Sequence, residues 1–369
     1  MADGLSTQLT IVLDVGRLMV HFVRSLLLGP TMTGNVIAGL GTVVLAAIIN
    51  GSFAAPMKRM TAWRWENSWL VFAFSGLIVF PWLINFATVP HVLRVYSEVS
   101  AATLMKIVGF GLLWGAGATL FGLGIAHVGL ALGFALILGI TASFGSLIPM
   151  VILHPEELLL KRGLALLAGT AVMVAGLVLL ALAGRMRERD LGSRTVGGSN
   201  FTTGLVICIF SGIFSSMLNF GFVFGDELKL RALAAGATRA MAANPVWALT
   251  VTGGFVANLI YCVYLLNKNH TWGVFREGNP LTYWPLGASM GLLWFGGTMI
   301  YGMGAVSLGA LGSILGWPIF MALDIIVALL WGAISGEWKG SSRRAIAYNW
   351  AGVLVLLLAI AVISYGNAT

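Results

Sequence analysis

Long apolar runs alternate along the whole chain with short polar, glycine-rich or basic intervals, and this rhythm sets the expected elements. A bilayer-crossing helix needs about 20 consecutive apolar residues. Runs of that kind predict spans at 34–54, 68–88, 102–126, 128–152, 163–184, 201–225, 242–266, 283–305, 307–332 and 345–366. Residues 5–28 follow a different pattern: Thr10, Asp14, Arg17, His21 and Arg24 recur every three or four positions, opposed by Ile11, Val15, Leu18, Phe22 and Leu26. That spacing predicts an amphipathic helix lying in the membrane interface; the alternative is an extension ahead of a start at Met32. No cationic head, short apolar core and small-residue cleavage site follow one another there, so no secretory signal is read.

Composition narrows the class. Of 369 residues, 59% are hydrophobic and 9% charged, against about 25% charged in soluble domains. The chain is therefore expected to be an all-α integral membrane protein. Its net charge of +8 comes from Lys and Arg in interhelical loops, a distribution that orients a membrane protein and does not suggest nucleic acid as a partner. Loops after odd-numbered spans hold 12 of the 21 basic residues, with clusters in "RMRERDLGSR" and "SSRR". This places those loops in the cytoplasm and both termini outside. Cys208 and Cys262 fall in apolar runs with no metal or disulfide spacing and read as small lipid- or core-facing residues.

A repeat lies in the glycines. "GLLWGAGATLFGLGIAHVG" (111–129) and "GLLWFGGTMIYGMGAVSLG" (291–309) share eight of 19 positions at an offset of 180, Trp114 and Trp294 among them. Asn50 and Phe53 similarly match Asn219 and Phe222 at an offset of 169. The resulting organisation is an N-terminal amphipathic segment (1–31), a first five-helix repeat (32–184), a basic cytoplasmic linker (185–200) and a second five-helix repeat (201–369). An odd number of spans per repeat inverts one half relative to the other, the arrangement of secondary transporters with a site near the midplane.

Few polar groups lie inside the spans. Of 13 acidic residues only Asp324 is deep in an apolar run, where a carboxylate costs about 2.5–3.5 kcal/mol on the insertion scale. Hydrocarbon favours the neutral acid, so Asp324 is the candidate proton-coupling residue, exchanging its proton when the site opens to water. Ser313, Trp317, Phe320, Asp324, Ala328 and Trp331 share one side of the ninth span. A carboxyl between the indoles of Trp317 and Trp331 would suit a sugar, stacking on its C–H face and accepting from its hydroxyls; fixing helix packing is the other reading. Asn50, Asn219, Trp114 and Trp294 complete the candidate substrate-binding set, with interhelical bonding or packing as alternatives. His127 reads as a structural residue of a tight turn, and Asp226 and Glu227 as solvent-facing. No phosphate loop, zinc helix or nucleophile elbow is present, so no cofactor is called for and the energy must come from a gradient or a partner chain.

"MKRMTAWRWENSW", "LWGAGATLFGLGIAHVGLALGFALILGIT", "SGIFSSMLNFGF" and "GEWKGSSRRAI" together resemble the L-rhamnose/proton symporter family of the drug/metabolite transporter superfamily, over residues 32–366. The resemblance implies a ten-helix permease of the bacterial inner membrane that imports a deoxyhexose with protons through a cavity between its halves. Trp317 is similar to a family position, whereas the ninth span and the N-terminal helix depart from the enterobacterial pattern. Competing expectations are an exporter of amino acids, drugs or other metabolites, a membrane sensor or scaffold, and an intramembrane enzyme, for which a second buried catalytic group is missing.

Overall fold

The computed structural model describes residues 34–128, 130–192, 201–309 and 311–367. The predicted interfacial helix and the end of the basic linker lie outside them. Every regular element among the described residues is helical. In chain order these are α1 (Gly34–Gly51), α2 (Trp65–Thr88), α3 (Val92–Ser97), α4 (Ala101–Val128), α5 (Leu130–Leu153), α6 (Lys161–Asp190), α7 (Phe201–Val223), α8 (Asp226–Ala234), α9 (Asn244–Lys268), α10 (Pro280–Ser307), α11 (Gly312–Ile334) and α12 (Arg343–Asn367). A π-helical turn, Ser75–Val79, interrupts α2 just before Pro81, whose missing N–H and bulky ring a regular α-helical turn would not accept.

Nine helices among the described residues are long and apolar enough to cross a membrane. Helix α10 is 28 residues long, and its glycines, Trp and Tyr dilute its hydropathy. One sequence expectation needs correction, and two short helices were not foreseen. Helix α6 does not stop at 184 but runs through Arg185, Arg187 and Arg189 to Asp190, because arginine is a good helix former and its charge suits a helix C-terminus. The short helices α3 and α8 are too brief for a scan tuned to membrane-length runs.

Packing interleaves helices from the first and second halves of the chain. Helix α6 lies along α12, α4 against α7 and α9, α1 against α10 and α11, α5 against α6, α7 and α11, and α2 against α9 and α10. With little hydrophobic drive between helices in lipid, close backbone approach supplies the contact. At Gly111 a methyl group would run into the Thr250 carbonyl, so only glycine lets α4 and α9 meet as they do.

Contacts at the ends sort into two layers, as alternating helix direction requires. In one layer Glu66, at the start of α2, accepts from Thr271 Oγ1 (2.7 Å) and Asn269 Nδ2 (3.0 Å) just beyond α9. In the other, Asn244 Nδ2 donates to Thr88 Oγ1 (2.8 Å) and Tyr96 OH donates to the Pro245 carbonyl (3.0 Å). Tyr96 lies between the spans; burial pushes its phenol well above the usual range, keeping it a donor.

Candidate functional site

The repeated positions meet at the centre of the molecule. Trp114 of α4 and Trp294 of α10 stack with centroids 5.2 Å apart. Asn50 of α1 donates from Nδ2 to the Trp294 carbonyl (2.8 Å) and to Thr298 Oγ1 (3.2 Å). Its repeat partner Asn219, on α7, donates to the Gly145 carbonyl of α5 (2.8 Å) and the Ser313 carbonyl of α11 (3.1 Å). Tyr301 OH lies 3.2 Å from Asn219 Oδ1 and 3.1 Å from the Ser313 carbonyl, donating its one proton between them. Both amides thus spend their N–H groups on interhelical bonds.

The stripe predicted on α11 divides among three neighbours. Trp317, 2% exposed, sits over Gly145 and donates from Nε1 to the Thr141 carbonyl of α5 at 3.2 Å. Phe320 stacks on Tyr301 of α10 at 4.7 Å. Trp331, 39% exposed, bonds Ser52 Oγ just past α1 at 2.8 Å. At 1.5 Å of rise per residue the two indoles are about 21 Å apart along the axis, so they do not bracket one sugar. Asp324 lies between them, with its carbonyl beside Gly51 of α1. Its Oδ1 is buried and meets no hydrogen-bond partner among the described residues.

The two ends of this central column differ. On the face shared by the ends of α5, α7 and α10 and the start of α11, a cavity of about 300 Å³ is lined by residues including His154, Phe222, Asp226, Lys229 and Ser313. That volume is at the lower end of the range for ligand sites. Lys229 Nζ, on a side chain 16% exposed, is 2.8 Å from Asp226 Oδ1 and 4.2 Å from the Phe222 ring centroid. Beneath it Phe222 stacks on Trp247 at 4.7 Å. On the opposite face Lys58, in the turn after α1, bonds Ser335 Oγ (2.7 Å) and Glu337 Oε1 (2.6 Å) beyond α11. Arg187 Nε donates to the Glu337 carbonyl at 2.7 Å. This clasp ties the ends of α1, α6 and α11 together on the face opposite the cavity.

A family model described as L-rhamnose-proton symport protein matches residues 32–369. The chain belongs to that family. Proteins named L-rhamnose-proton symporter from Yersinia pestis (strain Pestoides F) and Yersinia pseudotuberculosis serotype O:3 (strain YPIII) are each 27% identical to it over 344 residues, covering 91% of this chain and all of theirs. The relative of that name from Klebsiella pneumoniae (strain 342) is 27% identical over 345 residues, 92% of this chain and all of its own. The L-rhamnose-proton symport family is one of transporters, not enzymes, and the chain is a multi-pass membrane protein. Sequence reasoning read Asp226 as solvent-facing, and its side chain is 75% exposed at the cavity mouth; it passed over Lys229 and His154. Their gathering depends on α8 continuing past the end of α7 after a two-residue break, and the only signal for it was an acidic pair with a lysine three residues on, opening a short polar helix.

Proposed function

We propose that this protein is a proton-coupled secondary transporter that imports L-rhamnose or a related sugar across a bacterial inner membrane, by alternating access between two inverted five-helix repeats. Family membership over nearly the whole chain supports the substrate and the coupling ion. What supports the mechanism is the difference between the two ends: a cavity on one face and a clasp on the other.

Helix α10 serves as the tenth span in this reading, and α1, α2, α4, α5 and α6 correspond to α7, α9, α10, α11 and α12. Exchanging the halves then turns the α1–α10 contact into α7–α4, α1–α11 into α7–α5, α2–α10 into α9–α4, and α5–α6 into α11–α12; all of these pairs occur. The clasp closes the α1–α11 pair, and the cavity opens beside its counterpart, α7–α5. Two related states that trade these features are what alternating access needs. The clasped face carries the excess of basic residues and is assigned to the cytoplasm, so the cavity opens to the periplasm, as do both termini.

Asp324 is the proton carrier in this scheme. It lies about 16 Å along α11 from Ser313 at the cavity, and Oδ1 has room in its bonding for a proton or a sugar hydroxyl. Trp114, Trp294 and Trp317 line the path opened by separation of the halves, Asn50 and Asn219 can release their carbonyl partners to meet hydroxyls, and Trp331 guards the cytoplasmic exit. Uptake of labelled L-rhamnose into proteoliposomes, competed by unlabelled sugars and amino acids, tests the assignment. Saturable uptake blocked by L-rhamnose and unaffected by amino acids is expected; uptake blocked by an amino acid alone would favour an exporter-like metabolite carrier.

A further inference from the structure

The Asp226–Lys229 pair faces the cavity in a way that the interhelical amides do not, and its chemistry limits what the cavity can hold. One carboxylate and one ammonium at 2.8 Å make a locally neutral pair. A ligand with net charge of either sign is attracted to one partner and repelled by the other, and gains little overall. A neutral polyol fares better. Lys229 has three N–H donors, one of them directed to Asp226, and a carboxylate has about four lone-pair sites. Adjacent hydroxyls can therefore accept from the ammonium and donate to the carboxylate in charge-assisted bonds, stronger at Lys229, 16% exposed, than at Asp226, which is 75% exposed.

The rest of the wall completes the description. Among the other lining residues Leu153, Ala305, Val306 and Ile314 are apolar, while His154 and Ser313 are polar. The apolar part of this lining accepts a methyl group or a C–H face and offers nothing to a further hydroxyl. We infer that this cavity is the outward recognition subsite of the transporter, taking a neutral deoxyhexose whose neighbouring hydroxyls bridge Asp226 and Lys229 and whose methyl end lies against Val306 and Ile314. The inference rests on the reading of the chain as a sugar transporter and assigns residues to it that neither the repeat nor the resemblance singled out.

The test is uptake kinetics in proteoliposomes together with quenching of tryptophan fluorescence in purified protein, titrated with L-rhamnose, with L-mannose (which carries a hydroxyl where L-rhamnose has its methyl hydrogen) and with other neutral sugars. Trp247, beneath Phe222, lies close enough to report occupancy. Lys229→Met should raise KM for L-rhamnose about tenfold and the solvent-open Asp226→Asn up to about fivefold, each exceeding any fall in maximal rate, with melting temperature as the check on folding. Val306→Ser, on a partly exposed wall residue, should shift preference toward L-mannose and keeps the subsite testable should a charge variant fail to fold. Unchanged KM in folded charge variants, or a loss confined to maximal rate, would overturn the subsite while leaving sugar transport standing. If the wild-type protein moves no L-rhamnose but another neutral sugar quenches its fluorescence in an Asp226-dependent way, the substrate reading falls and the subsite survives. No response to any sugar removes both.

Discussion

Asp324 and Asn219 are both polar groups inside the bilayer, yet their surroundings set them apart. Asn219 is engaged on both sides of its amide, joining α7 to α5, α10 and α11. Asn219→Leu should therefore act on stability, with a cost between about 0.6 kcal/mol, the average for interhelical bonds in membranes, and about 3 kcal/mol if the Gly145 and Ser313 carbonyls stay unpaired. A lowered melting temperature in detergent is the readout, and Tyr301→Phe, which removes one donor, should lower it less. Asp324 has a buried oxygen with no such engagement, so Asp324→Asn should leave the melting temperature close to wild type while abolishing the pH dependence of uptake. Unchanged pH dependence in that variant would remove Asp324 from the coupling step. The sequence exposed this acid readily, since a lone carboxyl in an apolar run is conspicuous. It could not tell the bonded amides from a carboxyl whose Oδ1 meets no partner among the described residues, because the partner carbonyls come from helices remote in sequence.

At the scale of elements, the repeat located glycines without distinguishing their duties. Gly111 and Gly122 both recur at the 180-residue offset, but an added methyl at Gly111 would strike the α9 backbone, whereas no atom of the described residues lies within 4 Å of one at Gly122. Gly111→Ala is expected to cost about 1–3 kcal/mol through overpacking and to reduce the yield of folded protein. Gly122→Ala should be neutral or raise the melting temperature, given the better helix propensity of alanine; parallel purification and thermal melts of the two variants check this. The spans were legible to within a few residues because hydropathy integrates over some 20 positions. The π-helical turn in α2, the arginine-bearing end of α6 and the short helices α3 and α8 were not. Each depends on local geometry or on charged residues near the interface, which the same averaging erases. Helix α8 continues past α7 after a two-residue break and brings Lys229 to the cavity, so missing it meant missing that lining residue.

For the molecule as a whole, the account turns on two ends that trade places. The Lys58–Glu337 pair is 42% exposed on each side, and a pair so open to solvent contributes no more than about 1 kcal/mol. That is weak for a structural bond and suitable for a gate, which must open in each cycle. Glu337→Gln should shift the population toward the state open to the basic face by up to about fivefold. Spin labels at Arg59 and Lys339 should then show a longer component in their distance distribution, against a low background because the native cysteines are buried; an unchanged distribution would mean that the clasp does not gate. The claim on which the rest depends is that sugar and proton move together, and it is tested most directly by imposing an inward L-rhamnose gradient on proteoliposomes holding a pH-sensitive dye, with no initial pH difference. The account predicts internal acidification that follows L-rhamnose uptake and disappears with Asp324→Asn. L-rhamnose entry with no change in internal pH would contradict it.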